Sequence, residues 1–324
     1  FALLGTGSDT GQSIRSPASA CCLVGVRPTR GLVSRAGVMP NCFTQDEAGP
    51  ITRTVEDAAR MLDVLVGFDP RDPVSALGVG KAPPSYLAAL GDAPLRGARI
   101  GLLEDLLGHE ARHVEVNQVM EQVVDTLQQQ GTTVLRLAVP GLQALLGRVS
   151  TDRWEARIAF DQYLHALGPG QPVASFEQLV QGRSALPDVQ HILEAELAIA
   201  DGLHDPEYLQ RLANRDRLRV LLAAQLAQHG LDALLYPQQR VLVAPLGQPD
   251  QPERNGALSH GTGFPAVTFP GGFSPATPDA PLGVPVGAEL LGPDFSEAKL
   301  LGYAQAFERI AHVRRPPKLE SDPN

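Results

Sequence analysis

The stretch from Leu4 to Ser19 constrains this chain more than any other. Apolar residues Ala2 to Leu4 run into Gly5-Thr6-Gly7-Ser8-Asp9-Thr10-Gly11-Gln12-Ser13, a pattern that predicts a short buried strand ending in a glycine-punctuated turn. A turn of this kind points consecutive backbone N–H groups at one spot and holds the hydroxyl of Ser13 beside them. That is the arrangement of a nucleophile next to an oxyanion hole.

The periodicity of the remaining chain predicts a parallel crossover. Ala98 to Leu103 reads as a strand, Val116 to Leu127 as an amphipathic helix, and Thr132 to Val139 as a second strand. The helix buries Val116, Val119, Met120, Val123, Val124 and Leu127 on one stripe. Thr54, with Asp57 three residues on, marks a capped helix start, and Ala58, Met61, Leu62, Leu65 and Val66 follow at helical spacing up to Gly67. Residues 69–97 are rich in proline and glycine and read as a surface linker rather than a core element. A helical block is expected over about 150–230, with its clearest period in Ile192 to Ala200 and Leu218 to Leu226. The organisation expected is one domain over 1–324, with a core at 1–68, the connection at 69–97, the crossover and helical block at 98–230, and terminal strands and a closing helix at 231–324.

Composition narrows the class. A net charge of -9, from 27 basic against 36 acidic residues without a basic block, argues against nucleic acid as a ligand. No run reaches membrane-spanning length and the first residues lack the form of a signal peptide, so a cytoplasmic protein is expected. Cys21, Cys22 and Cys42 form no disulfide framework and no metal spacing, and are read as reduced, buried small residues. The chain opens at Phe1 without methionine, in what reads as a strand already under way, and is expected to be part of a longer protein.

The turn and the residues after it resemble the amidase signature family. The family pattern G-[TS]-D-T-G-G-S-I-R-x-P-A-S is met by Gly7 to Ser19, and its continuation x-G-x-x-G-x-[KR]-P-T-x-G-x-V-S-R by the stretch running through Arg27-Pro28-Thr29-Arg30-Gly31-Leu32-Val33-Ser34-Arg35. Asp46-Glu47-Ala48-Gly49-Pro50-Ile51-Thr52-Arg53-Thr54 belongs to the same likeness, as do Leu231 to Pro237, Gly263 to Gly272 and Pro285 to Gly292. Gln12 departs from it, standing where the family usually has its second glycine. The resemblance implies an α/β fold with a mixed, twisted central sheet flanked by helices on both faces, truncated at its N-terminal side.

The resemblance also implies hydrolysis of a linear carboxamide C–N bond through an acyl-enzyme on Ser13, with no cofactor. The backbone N–H groups of Thr10, Gly11, Gln12 and Ser13 would form the oxyanion hole, and Asp9 and Arg15 are expected to brace the turn. In the resembled family a lysine takes the serine proton through a second, bridging serine, both upstream of the motif. Lys81, Lys299 and Lys318 all come after Ser13, so the chain alone has a nucleophile without its activator and is expected to be inactive by itself. Its expected partners are a small-molecule amide and at most a second copy of itself.

Competing motifs are weaker. Gly5-Thr6-Gly7 with Gly11 fails the G-x-G-x-x-G spacing of a dinucleotide loop, and Pro17 is expected to interrupt a following helix. His109-Glu110-Ala111-Arg112-His113 spells the H-E-x-x-H of zinc peptidases, but Gly108, Arg112 and a helical period starting only at Val116 favour a solvated turn. A glutamine-hydrolysing amidotransferase subunit is the remaining alternative, similar in motif. His260 and Asn255 are placed near the pocket by position alone.

Overall fold

A computed structural model describes residues 2–183, 185–248 and 251–316. They form a mixed eight-stranded sheet of β1 (Leu4–Asp9), β2 (Val24–Arg27), β3 (Glu47–Thr52), β4 (Arg99–Leu103), β5 (Thr133–Leu137), β6 (Ala233–Pro237), β7 (Ala266–Phe273) and β8 (Pro285–Leu291). The strand order is β1-β3-β2-β7-β8-β6-β4-β5, with β4 parallel to β5 and β6 and every other neighbouring pair antiparallel. The helices are α1 (Arg15–Ala20), α2 (Val55–Leu65), α3 (Tyr86–Ala89), α4 (Val114–Gln129), α5 (Leu142–Leu146), α6 (Asp152–Leu167), α7 (Phe176–Gln181), α8 (Pro187–Leu197), α9 (Pro206–His229), α10 (Ala257–Thr262) and α11 (Glu297–Ala311). No helix among the described residues is long and apolar enough to cross a membrane.

Helices cover both sheet faces. α2, α3, α4 and α11 bury one face with Leu62, Tyr86, Met120, Val123 and Leu301 against Val26, Val267 and Leu290. α5, α9 and α10 cover the other with Leu142, Leu222 and Leu258 against Leu234 and Tyr236. α6, α7 and α8 form an annex around Phe160 and Phe176, whose rings meet edge to face at 5.8 Å. The predicted crossover is present: α4 buries the six residues of its apolar stripe and returns the chain to β5, parallel to β4. Thr54 caps α2 by accepting the Asp57 N–H at 3.1 Å.

The first strand is longer than the sequence pattern predicts, and it is a largely exposed edge strand rather than a buried one. β1 continues through Gly5 and Gly7 to Asp9, and all six residues pair with β3. Gly7 serves close packing rather than a turn, since a Cβ there would lie 2.8 Å from Ile14 Cγ1. Pro17 does not interrupt α1. It occupies the first turn, where its fixed φ suits the helix and its missing N–H skips a single rung between the Ser16-to-Gln12 and Ala18-to-Ile14 bonds. α1 itself lies hard against the sheet because Gly287 has no side chain: its N–H donates to Ser19 Oγ at 2.9 Å.

Two further expectations are corrected. Residues 69–97 are not a mere surface linker, because they fold into a 3₁₀ turn at Pro73–Gly78 and α3, and bury Tyr86, Leu90 and Leu95 in the main core. Proline starts such turns readily, so a high proline content marks helix entry here rather than exposure. Of the three cysteines, Cys21 is exposed whereas Cys22 and Cys42 are buried.

Candidate active site

Ser13 lies in the turn between β1 and α1, two residues before the first residue of the helix. It is exposed, and its hydroxyl has no partner among the described residues. The Ser16 N–H donates to the Gln12 carbonyl at 2.8 Å, so the turn runs directly into helical geometry. The N–H groups of Gly11, Gln12 and Ser13 have no acceptor among the described residues. They are free peptide donors of the turn that precedes Ile14, the N-cap of α1, and an anionic oxygen is what such donors bind best.

A buried charge network lies under the turn. Asp9 ends β1 fully buried, where its Oδ2 accepts the Ile14 N–H at 3.2 Å and Arg15 Nε at 3.1 Å. Arg27 Nη1 from β2 reaches Asp9 Oδ1 at 2.8 Å. Burial pushes the Asp9 carboxyl up, but Arg15 and Arg27 outweigh it and hold the group at about 2. Arg15 also donates to the Gly11 carbonyl at 2.6 Å and to Glu289 Oε1 at 2.7 Å. Glu289 is flanked in register by Tyr236 of β6 and Thr268 of β7, whose hydroxyls donate to it at 2.7 and 2.6 Å. Each charge is thereby paired and hydrogen-bonded, which is the condition for burying it.

The turn is also held from its sides. Thr10 Oγ1 donates to Asp46 Oδ1 at 2.6 Å, while Asp46 Oδ2 accepts the N–H groups of Asn41 and Cys42 at 2.7 and 2.8 Å. Asp46 in turn lines a cleft of about 590 Å³ whose walls include Val38, Pro40, Phe43, Tyr163 and Leu167. Ser13 is not part of that lining. On the other side Gln12 Oε1 meets the Gly256 N–H and Gln238 Nε2, each at 3.2 Å.

Comparison with known proteins settles the family. The family described as Amidase matches residues 1–301. The chain belongs to the amidase family. It is 32% identical over 321 residues to a glutamyl-tRNA(Gln) amidotransferase subunit of Rubrobacter xylanophilus, covering 95% of this chain and 64% of that protein. A probable amidase of Arabidopsis thaliana is 28% identical, with 96% of this chain and 57% of that protein covered. The structure of the peptide amidase of Stenotrophomonas maltophilia superposes with a TM-score of 0.84 at 33% identity, covering 99% of this chain and 64% of that one. The chain thus spans under two thirds of the length of these relatives.

Within this amidase-family chain, several residues singled out by sequence make no hydrogen bond to Ser13. His113 is buried; its Nδ1 accepts the Glu110 N–H at 2.9 Å and its Nε2 lies 2.8 Å from Glu253 Oε2. Both ring nitrogens are therefore engaged, and the exposed His109 sits outside any helix, so the two imidazoles do not share a helical face. Asn255 braces backbone, donating to the Leu106 and Pro237 carbonyls at 3.1 and 2.8 Å. His260 is buried and its Nδ1 has no partner; burial, then Arg27, Arg215 and Arg15, holds it well below its usual range and hence neutral. Lys81 lies over the Phe295 ring and Lys299 pairs with Asp232 at 2.9 Å, while Lys318 falls outside the described residues.

Sequence reasoning missed Glu289, Arg27, Tyr236, Asp46 and Gly256. Glu289 alone carried a usable signal, a carboxylate inside the otherwise apolar run Ala288 to Leu291. Such a residue in a buried strand demands a cationic partner.

Proposed function

We propose that Ser13 is the nucleophile with which the full-length protein carrying this chain hydrolyses the C–N bond of a linear carboxamide through an acyl-enzyme. The observation that carries the reading is the exposed Ser13 hydroxyl beside the acceptor-free N–H groups of Gly11, Gln12 and Ser13. In this mechanism Ser13 Oγ attacks the carbonyl carbon while a base takes its proton, and the turn N–H groups, with that of Thr10, hold the oxyanion. Collapse of the intermediate expels the amine with a proton; water then attacks the ester, releases the carboxylic acid and restores the hydroxyl. Donors fixed in advance by the Asp9–Arg15–Glu289 network need no reorganisation when that charge forms.

The resemblance assigns the proton to a lysine acting through a bridging serine. Lys81 and Lys299 are engaged elsewhere, so the reading takes this pair from outside the described residues. The test is mass spectrometry of the full-length protein after a fluorophosphonate probe, alongside Ser13→Ala. Label is expected on the peptide bearing Ser13, and Ser13→Ala is expected to lose at least about 10³-fold in kcat. Amide turnover surviving in Ser13→Ala, or label placed elsewhere, refutes the reading. A second reading, a subunit that releases ammonia from glutamine for a partner, is favoured by the likeness to the Rubrobacter amidotransferase subunit. Glutaminase turnover that appears only when a partner is added would select it.

A further inference from the structure

Gln12 replaces a glycine of the signature, and its side chain is used. Because a peptide N–H can only donate, the bond from Gly256 N–H at 3.2 Å fixes the carboxamide with its oxygen toward Gly256. Gln238 must then present its nitrogen to the same oxygen, as it does at 3.2 Å. Gln238 is itself buried and anchored: its N–H donates to the Gly287 carbonyl at 3.0 Å and its carbonyl accepts the Asn255 N–H at 2.8 Å. The carbonyl of Gly256 accepts Arg15 Nη2 at 3.2 Å. A single residue ahead of α10 therefore grips the turn on both sides of Ser13, at position 12 through its N–H and at position 15 through its C=O. Glycine at 256 is what permits this approach, since a Cβ there would stand 2.6 Å from Gln12 Oε1, 2.7 Å from Gln12 Cβ and 2.8 Å from the Gly11 carbonyl oxygen.

We propose that Gln12 is a positioning residue, whose side chain, clamped on Gly256 and Gln238, fixes the Gly11 to Ser13 peptides so that their N–H groups face the acyl oxygen. The proposal rests on the reading of Ser13 as nucleophile. A glycine at position 12 would leave the adjoining peptides free to rotate, whereas a side chain held at two points removes that freedom. Donors that keep their direction before the charge develops are worth most in the transition state and little in the ground state. The effect therefore belongs in kcat rather than KM.

The test uses the full-length protein, assayed well below its thermal midpoint. Gln12→Met keeps the length of the side chain and removes the acceptor. It is expected to lower kcat about tenfold with KM within about twofold, and to slow phosphonylation of Ser13 by a similar factor, a loosened donor set costing less than the loss of a whole donor. Wild-type kcat and labelling rate in Gln12→Met, with any cost confined to the thermal midpoint, overturn the proposal. Should that variant not fold, Gly256→Ala perturbs the same contact from the opposite side and is expected to lower kcat with the same split. Its effect is expected to shrink in a Gln12→Gly background, where two of the three close atoms are gone; full additivity overturns the coupling. If the probe labels Ser13 and Ser13→Ala is inert while these variants match wild type, this inference alone fails. If the probe never labels Ser13 in the wild-type protein, the nucleophile assignment fails instead.

Discussion

Replacing Asp9 by asparagine keeps the shape of the side chain and takes its charge from between two buried guanidiniums. Asp9 lies 3.1 Å from Arg15 Nε and 2.8 Å from Arg27 Nη1, with all three side chains essentially inaccessible to solvent. The carboxyl is held at about 2 against an ordinary 3.8, a depression equivalent to about 2 kcal/mol of preference for the charged form. The substitution costs more than this, because Arg27 stays buried without its carboxylate while Arg15 retains Glu289 at 2.7 Å. Breaking a buried pair from one side costs about 3–5 kcal/mol, so a fall of roughly 10 °C in thermal midpoint is expected for Asp9→Asn at neutral pH. Since the folded-state pKa is depressed, the stabilisation is complete above about pH 4 and fades as pH falls towards 2. The gap between wild type and variant should therefore narrow by about 2 kcal/mol in acid. Urea unfolding followed by the fluorescence of Trp154, the single tryptophan, at neutral and acid pH measures both quantities. A loss under about 1 kcal/mol at pH 7, or a gap that widens on acidification, would refute the account of a mutually dependent charge cluster.

Glu47, buried in β3, is pushed up to about 7 by burial despite the pull of Arg27, Arg35 and Arg30. Between its ordinary 4.5 and 7 the folded chain keeps a proton that the unfolded chain releases, so wild type loses stability as pH rises through that window. Glu47→Gln should gain about 3 kcal/mol on wild type from pH 4.5 to 8 in urea titrations, and parallel stability curves would contradict this. Iodoacetamide should modify exposed Cys21 in the folded protein and spare Cys42, which is inaccessible and whose thiol is pushed up to about 12 by burial and then by Glu155. Peptide mapping that finds Cys42 alkylated as fast as Cys21 under native conditions would rule the packing out.

Local order was legible wherever a residue's neighbours in the chain are also its neighbours in space. The stripe of α4, the Thr54 cap and the apolar run of β4 follow from spacing of a few positions, because helix and strand periods repeat within one element. The same holds for the placing of Ser13 at a turn and for Asp9 and Arg15 as neighbours, six positions apart. Glycine and proline were misread in β1 and in residues 69–97, since each serves close packing or helix entry as readily as a turn.

The linear order of residues was enough for most secondary elements, the family pattern and the identity of the hydroxyl at the turn. The surroundings of that hydroxyl, beneath and beside it, came from the folded arrangement alone. Arg15 meets Glu289 across 274 positions, and Gln12 meets Gly256 across 244, because β8 lies between β6 and β7 in the sheet and α10 leads directly into β7. No local period encodes such pairings. A buried charge must find its counter-charge wherever the sheet order brings one.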